Sequence, residues 1–387
     1  WVRNCHVGLA CQLRMVVARA NTVKTGRAGR LGYGDSFILS PQGQPLAEAG
    51  LFKTGLVTAA IEPAMFQPPV VWGQPEEVPA WLRTQIAQLL GNFRQPRNDA
   101  DLRYWLENML LHHRFTDAEA SAATGLTLEG IRQAADRFDL TRHSAPPRAP
   151  GSPLRVLPYP GGRHPRLGFF DGAVAPQRET KVSVFTPWDD TSYVVADVPE
   201  AIWSNLGLTY LAHTHIDTVW TSQGIQLPPL EWTRRDDGTL DFERTLPNGI
   251  AFGTRIVPTS DAVRMETWLR NGTTAPLTGL RLQNCVMLGG APEFAAQTAT
   301  NKVFRGPYAA CRSGSGHRWV ITAWVPLDAT WQNPPLPCMH SNGRLADCPP
   351  GQTVRARGWL SFYEGTDLEL ELDRIDRLEW GTKPFPL

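Results

Sequence analysis

Residues 251–288, AFGTRIVPTSDAVRMETWLRNGTTAPLTGLRLQNCVML, decide how this chain is read. In the first half Val263, Met265, Thr267 and Leu269 alternate with Arg264, Glu266 and Trp268. In the second, Leu280, Leu282, Asn284, Val286 and Leu288 alternate with Arg281, Gln283, Cys285 and Met287. A period of two is the mark of a strand with one buried face. Asn271-Gly272, Pro276 and Gly279 supply turn chemistry between the arms, so the stretch predicts a β-hairpin whose arms pair with each other. Its polar face, with Arg264, Glu266 and Trp268, is a candidate pocket wall.

Working outward, 181–185, 193–197, 207–215, 319–325 and 354–363 read as further strands, with a hairpin turn at Asp236-Asp237-Gly238. Residues 199–206 read as a helical turn, and 366–378 as a closing helix with Leu368, Leu372, Ile375 and Leu378 on one side. Short strands between Gly, Pro and Asn turns predict an α+β, predominantly β fold, with an antiparallel β-sandwich over 163–387. Ahead of it the pattern gives an N-terminal αββ fragment over 1–66, with a strand at 36–39, a turn at Pro41-Gln42-Gly43 and a second strand at 56–61, then a proline-rich linker over 67–80, a small helical unit over 81–143 and a Pro/Gly linker over 144–162. In the helical unit Thr116-Asp117-Ala118-Glu119 is a capping box, Gly125 a stop and Thr127 a second cap. That outline resembles a helix-turn-helix. Residues 98–140, however, carry eight Asp or Glu against four Arg, the wrong balance for phosphate contacts, so a structural role is expected. His112-His113 reads as the last turn of a helix, where positive charge is favoured.

Across the chain 38 basic residues meet 37 acidic ones, a net charge of +1, which leaves no long-range field to gather nucleic acid or an anionic membrane. No apolar run approaches membrane-spanning length. The expected partner is therefore a small molecule or saccharide chosen by local contacts, and the charge does not speak to the oligomeric state. Six cysteines without a C-x-x-C pair suit neither a disulfide scaffold nor a zinc ribbon. Reduced thiols are the default reading; Cys5 and Cys11 read as small buried hydrophobes, with one local Cys338–Cys348 bridge as the alternative if the compartment is oxidising. The chain opens at Trp1 inside a helical pattern, which predicts sequence upstream; the lack of a signal peptide favours a cytoplasmic location.

Three groups of residues carry candidate chemistry. His213-Thr214-His215 puts two imidazoles on one face of a strand, an arrangement able to hold a divalent metal, and no motif calls for any other cofactor. Trp220 and Trp268, with Arg264 and His317, offer rings and donors for a sugar face, a role weighed against core packing. Glu266, His213 and His215 are the acid–base candidates. Arg178-Glu179 and Lys181 read as solvated charges at the start of a strand. No G-x-S-x-G elbow and no G-x-G-x-x-G loop occurs, against serine hydrolysis and nucleotide binding.

Two resemblances follow from these residues. Over about residues 3–63, Asn21, Gly34-Asp35-Ser36-Phe37-Ile38, Ser40-Pro41-Gln42-Gly43 and the apolar run after Gly55 resemble the C-terminal tail of the carbon–nitrogen hydrolase (nitrilase/amidase) superfamily. That likeness implies a Glu–Lys–Cys catalytic set lying before the tail, and hence a hydrolase whose chemistry is upstream. Over about 165–365 the rhythm V-x-P, M-E-x-W-L-x-N-G-T and P-L-T-G-L resembles galactose-mutarotase-like sugar-processing modules. There a His and a Glu act as acid and base on a sugar ring, which is why His213, His215 and Glu266 are the side chains to test first.

Overall fold

The chain divides into two compact units, Trp1–Val71 and Trp72–Leu387. A computed structural model describes all residues except 1, 14, 22, 24–33, 63–92, 141–147, 164, 166–177, 213–215, 334–335 and 386–387. In the first unit helix α1 (Val2–Leu13) accompanies an antiparallel sheet of β1 (Val17–Arg19), β2 (Phe37–Leu39) and β3 (Pro45–Glu48). Its core is Ala10, Phe37 and Leu39. Gly43 closes the predicted Pro41-Gln42-Gly43 turn by donating to the Ser40 carbonyl at 2.8 Å. Two expectations fail here. Cys5 and Cys11 are exposed, because an amphipathic helix on a sheet this small buries only one stripe. The run 56–61 pairs with no strand among the described residues, and Leu56 is 93% exposed.

Among the described residues the second unit begins with α2 (Asp99–Leu106), a π-helical turn (Glu107–His112), α3 (Asp117–Thr124) and α4 (Leu128–Arg137); residues 81–92, the expected start of the helical unit, lie outside the described residues. The predicted signals act as written. Thr116 and Glu119 close a capping box, Gly125 ends α3 in the left-handed region at φ 74°, and Thr127 caps α4. The main body is two antiparallel sheets. One contains β8 (Thr233–Arg234), β9 (Leu240–Thr245), β10 (Ala251–Pro258), β11 (Ala262–Arg270), β13 (Lys302–Arg305), β14 (Tyr308–Arg312), β15 (Arg318–Val325) and β18 (Thr353–Glu364), in the order β13-β14-β15-β18-β11-β10-β9-β8. The other contains β4 (Val156–Pro158), β5 (Lys181–Phe185), β6 (Tyr193–Ser204), β12 (Arg281–Met287), β16 (Ala329–Gln332) and β17 (Cys338–Arg344), in the order β16-β17-β12-β6-β5-β4, with β7 (Gly207–Leu211) also on β6. Between them Phe252, Met265, Leu269, Leu282, Val286, Trp324, Met339 and Leu360 form the core. The fold is α+β and predominantly β.

The decisive stretch keeps its alternation and loses its pairing. The arms β11 and β12 lie in different sheets, and β11 pairs with β10 and β18 while β12 pairs with β6 and β17. The hairpin is β10–β11. Residues 271–280 instead carry the chain from one sheet to the other. Asn271 is fully buried there, its amide donating to the carbonyls of Ala275 (2.9 Å) and Cys348 (2.8 Å) while its Oδ1 accepts from Thr273. Period two identifies the buried face and leaves the neighbour open; both arms bury that face in one core from opposite sides. A second correction falls on 199–206, of which 199–204 continue β6 as strand and 205–206 turn into β7. The register of β6 against β12 shifts between Gln283 and Cys285, and Pro199 is absorbed in that irregularity.

Helix α5 (Leu368–Asp376) lies on the outer face of the eight-stranded sheet. Asp367 caps it by accepting from the Leu370 amide at 3.0 Å. Leu368, Leu372 and Ile375 pack there with Tyr308, Trp319, Ile321, Trp359 and Trp380. Among the described residues no helix is long and apolar enough to cross a membrane.

Candidate functional site

The part of that outer face which α5 leaves open is a cleft of about 890 Å³. Outward positions on four adjacent strands line it: Asp241 and Glu243 of β9, Arg255 of β10, Glu266 and Trp268 of β11, and Arg355 and Arg357 of β18, with Pro384 and Phe385 at one side. Register sets the composition. Arg255 sits opposite both Asp241 and Glu266, Glu266 opposite Arg357, and Trp268 opposite Gly253 and Arg355. Opposite charges thus meet across strands, where pairing is favourable. Glu266 accepts from Arg355 Nη1 at 2.7 Å and lies 3.5 Å from Arg357 Nε. Arg357 also donates to the Lys383 carbonyl at 2.6 Å, which seats the C-terminal segment beside the cleft.

Trp268 forms the apolar part of the floor. Its ring lies against Gly253, where an added Cβ would come within 2.8 Å of the indole and 2.2 Å of the Phe242 carbonyl oxygen. Glycine here lets the half-buried ring lie close to the sheet. The result is a ring plane bordered by guanidinium donors and carboxylate acceptors.

The other residues singled out in the sequence lie apart. Arg264, next along β11, donates to the Trp380 carbonyl at 2.7 Å and sits 5.8 Å from the Trp359 ring. Trp220 is core, its indole donating to the Thr209 carbonyl at 2.8 Å. His317 is exposed beside Glu364, seven residues along β18 from Arg357 and so roughly 20 Å from Glu266. His213 and His215, the metal and acid–base candidates, fall outside the described residues. Arg178 and Lys181 are buried, not solvated. Lys181 pairs with Asp197 at 2.8 Å, and Arg178 stacks on Trp105 at 3.5 Å. A lone strand-opening charge is solvated only if nothing packs over it, and here the helical unit does. The same packing overturns the cationic reading of the histidines. Burial pushes His112 down to about 4 and His113 to about 3, and the His113 ring nitrogens meet the Asn108 carbonyl (2.9 Å) and Ser183 Oγ (2.6 Å).

One cluster lies outside the residues singled out in the sequence. Cys285, Cys338 and His340 converge on the outer face of the seven-stranded sheet, all buried, with potential ligand atoms within 4.8 Å of one another. Burial opposes charge on His340, yet Cys285 and Glu200 beside it push its pKa up to about 10. Cys348 lies instead in the inter-sheet core, so Cys338 and Cys348 are free thiols and the alternative of a bridge between them is not formed. A usable signal was present: Cys338-x-His340 has the same i, i+2 spacing that drew attention to His213 and His215.

No protein-family model and no curated protein matches the sequence. Solved structures similar in part include a protein described as an aldose 1-epimerase from Escherichia coli K12, at 12% identity and TM-score 0.28, covering 45% of this chain and 84% of that one. Heparan sulfate lyase HepC from Pedobacter heparinus is similar at 9% identity and TM-score 0.28 over 61% of this chain and 39% of the lyase. A protein described as a kojibiose phosphorylase from the human microbiome is similar at 10% identity and TM-score 0.28, over 38% of this chain and 22% of the phosphorylase. Values this low assign no activity to this chain, and the comparisons lend no support to a carbon–nitrogen hydrolase tail over 3–63.

Proposed function

We propose that the open cleft binds a saccharide, with Trp268 as the stacking platform and Glu266, Arg255 and Arg355 as partners for its hydroxyls. The observation that carries this reading is Trp268 lying against Gly253 between charged residues of both signs. The axial C–H groups of a pyranose pack on an indole face while its equatorial hydroxyls reach donors and acceptors at the ring's edge. Arginine forks supply donors, and Asp241, Glu243 and Glu266 supply acceptors. The cleft volume falls in the range of small-molecule sites. Within this reading Glu266 is the candidate acid–base group, since it projects beside the platform.

The test is a titration of the intrinsic tryptophan fluorescence of the full chain with a broad panel of mono- and oligosaccharides, for wild type and Trp268→Ala. The expected result is a saturable change with at least one saccharide and an affinity reduced roughly tenfold or more in the variant, the scale of losing one aromatic anchor. No response across the panel overturns the reading, as does equal affinity in the variant.

A further inference from the structure

A row of paired residues crosses the outer face of the seven-stranded sheet. Lys181 on β5 stands opposite Asp197 on β6, Asp197 opposite Cys285 on β12, Cys285 opposite His340 on β17, and His340 opposite Trp331 on β16. Cys338, two residues before His340 on the same strand, shares its face. Lys181 and Asp197 neutralise each other. Next to them stand two thiols and an imidazole, buried together.

We propose that Cys285, Cys338 and His340 bind a thiophilic divalent cation, zinc by preference, with Glu200 as the carboxylate that orients His340. The distances allow it. Three atoms within 4.8 Å of one another have a common centre no more than about 2.8 Å from each, against zinc bonds of about 2.3 Å to sulfur and about 2.0 Å to nitrogen. Small side-chain shifts therefore close the site. His340 is prepared on both edges. Its Nε2 lies 3.3 Å from the Glu200 carboxylate, which is itself held by Gln283 Nε2 at 2.7 Å. Its Nδ1 is buried and has no hydrogen-bond partner among the described residues. A histidine tied to a carboxylate through one nitrogen, with the other aimed at the ion, is the usual way a metal-binding imidazole is oriented. Trp331 stacks on the ring at 3.9 Å and 8°, which fixes its plane.

The donor chemistry selects the ion. Two sulfurs and one imidazole suit zinc over the hard cations, which take oxygen. As two zinc–sulfur bonds and one zinc–nitrogen bond form, two thiol protons and the Nδ1 proton of His340 leave to solvent while Nε2–H stays donated to Glu200, and one Zn²⁺ with two thiolates is electrically neutral. Neutrality matters because an uncompensated charge at this depth is costly. The irregularity around Pro199 has a role here, since it brings Glu200 to a sheet face that strict alternation would deny it.

The test uses the full chain, expressed in zinc-supplemented medium and purified without chelator, with elemental analysis and zinc-edge X-ray absorption. The expected result is about one zinc per chain, with two sulfur scatterers at about 2.3 Å. Cys285→Ser and His340→Gln should each lower zinc content by roughly tenfold or more. If either variant fails to fold, the wild-type absorption spectrum decides alone. A zinc shell without sulfur assigns the ion elsewhere and overturns the proposal. So does folded wild-type protein that stays zinc-free after anaerobic incubation with zinc, or a Cys285–Cys338 disulfide found by peptide mapping of protein handled anaerobically.

Discussion

Strand β18 passes through two regions of one sheet face that share a backbone and little else. Toward its end Trp359 and Tyr363 lie beneath α5, among Tyr308, Trp319, Ile321, Leu372 and Ile375. Toward its start Arg355 and Arg357 stand in the open cleft beside Glu266 and Trp268. The change takes place within one outward step, from Arg357 to Trp359. A sheet face that must be covered is written in large apolar residues matched to a helix. A face left to solvent is freed from that demand, and there the chain places paired charges around a ring. The scaffold and the candidate site are thus neighbouring halves of one surface, and each half predicts its own response to mutation.

The largest expected effect is on the covered half. Leu372 is fully buried between α5 and the sheet, so Leu372→Ala should cost about 3 kcal/mol. Urea denaturation should record that loss while saccharide affinity measured below the transition stays within about twofold; a comparable loss of affinity would show the two halves to be one unit.

Acid probes the helical cover on the other sheet. His113 is held neutral in the fold with its pKa pushed down to about 3, against about 6.5 in the unfolded chain. Its contribution is complete above pH 6.5 and is lost as pH falls toward 3, because the unfolded chain takes up a proton the fold refuses. His112, pushed down to about 4, acts in the same direction. Between pH 6.5 and 4.5 His113 alone should remove about 2–3 kcal/mol. Denaturation at a series of pH values checks this: His113→Gln should be less stable at pH 7 but show a shallower acid slope, and an unchanged slope contradicts the neutral assignment.

The smallest stability effect is expected in the cleft. Glu266 is partly exposed and Arg355 more so, with side-chain exposures of 14% and 53%, so their ion pair is solvent-screened. Glu266→Gln should change stability by less than about 1 kcal/mol while weakening saccharide binding severalfold in the same fluorescence titration. A large stability loss with binding intact would make the pair structural.

What the sequence disclosed follows from what is local. The capping box at Thr116 and Glu119, the stop at Gly125 and the alternation of 263–269 involve residues a few positions apart, and all appear as read. The membership of Glu266 and Trp268 on one polar face was equally legible. What was not legible depends on pairing between distant strands. The partners of β11 are fixed by the whole sandwich, and Cys285 meets His340 only through the β12–β17 register. Trp220 and Trp268 have the same composition signal and opposite fates, because parity says which way a ring points and not what covers it.

The central claim is that the open half of the eight-stranded sheet is the binding face. Hydrogen–deuterium exchange of the full chain, with and without a saturating saccharide from the panel, tests it most directly. Slowed exchange confined to 241–245, 253–257, 264–270 and 353–357 is the predicted result. Protection centred on 308–312 and 319–325, or on the seven-stranded sheet, would contradict it.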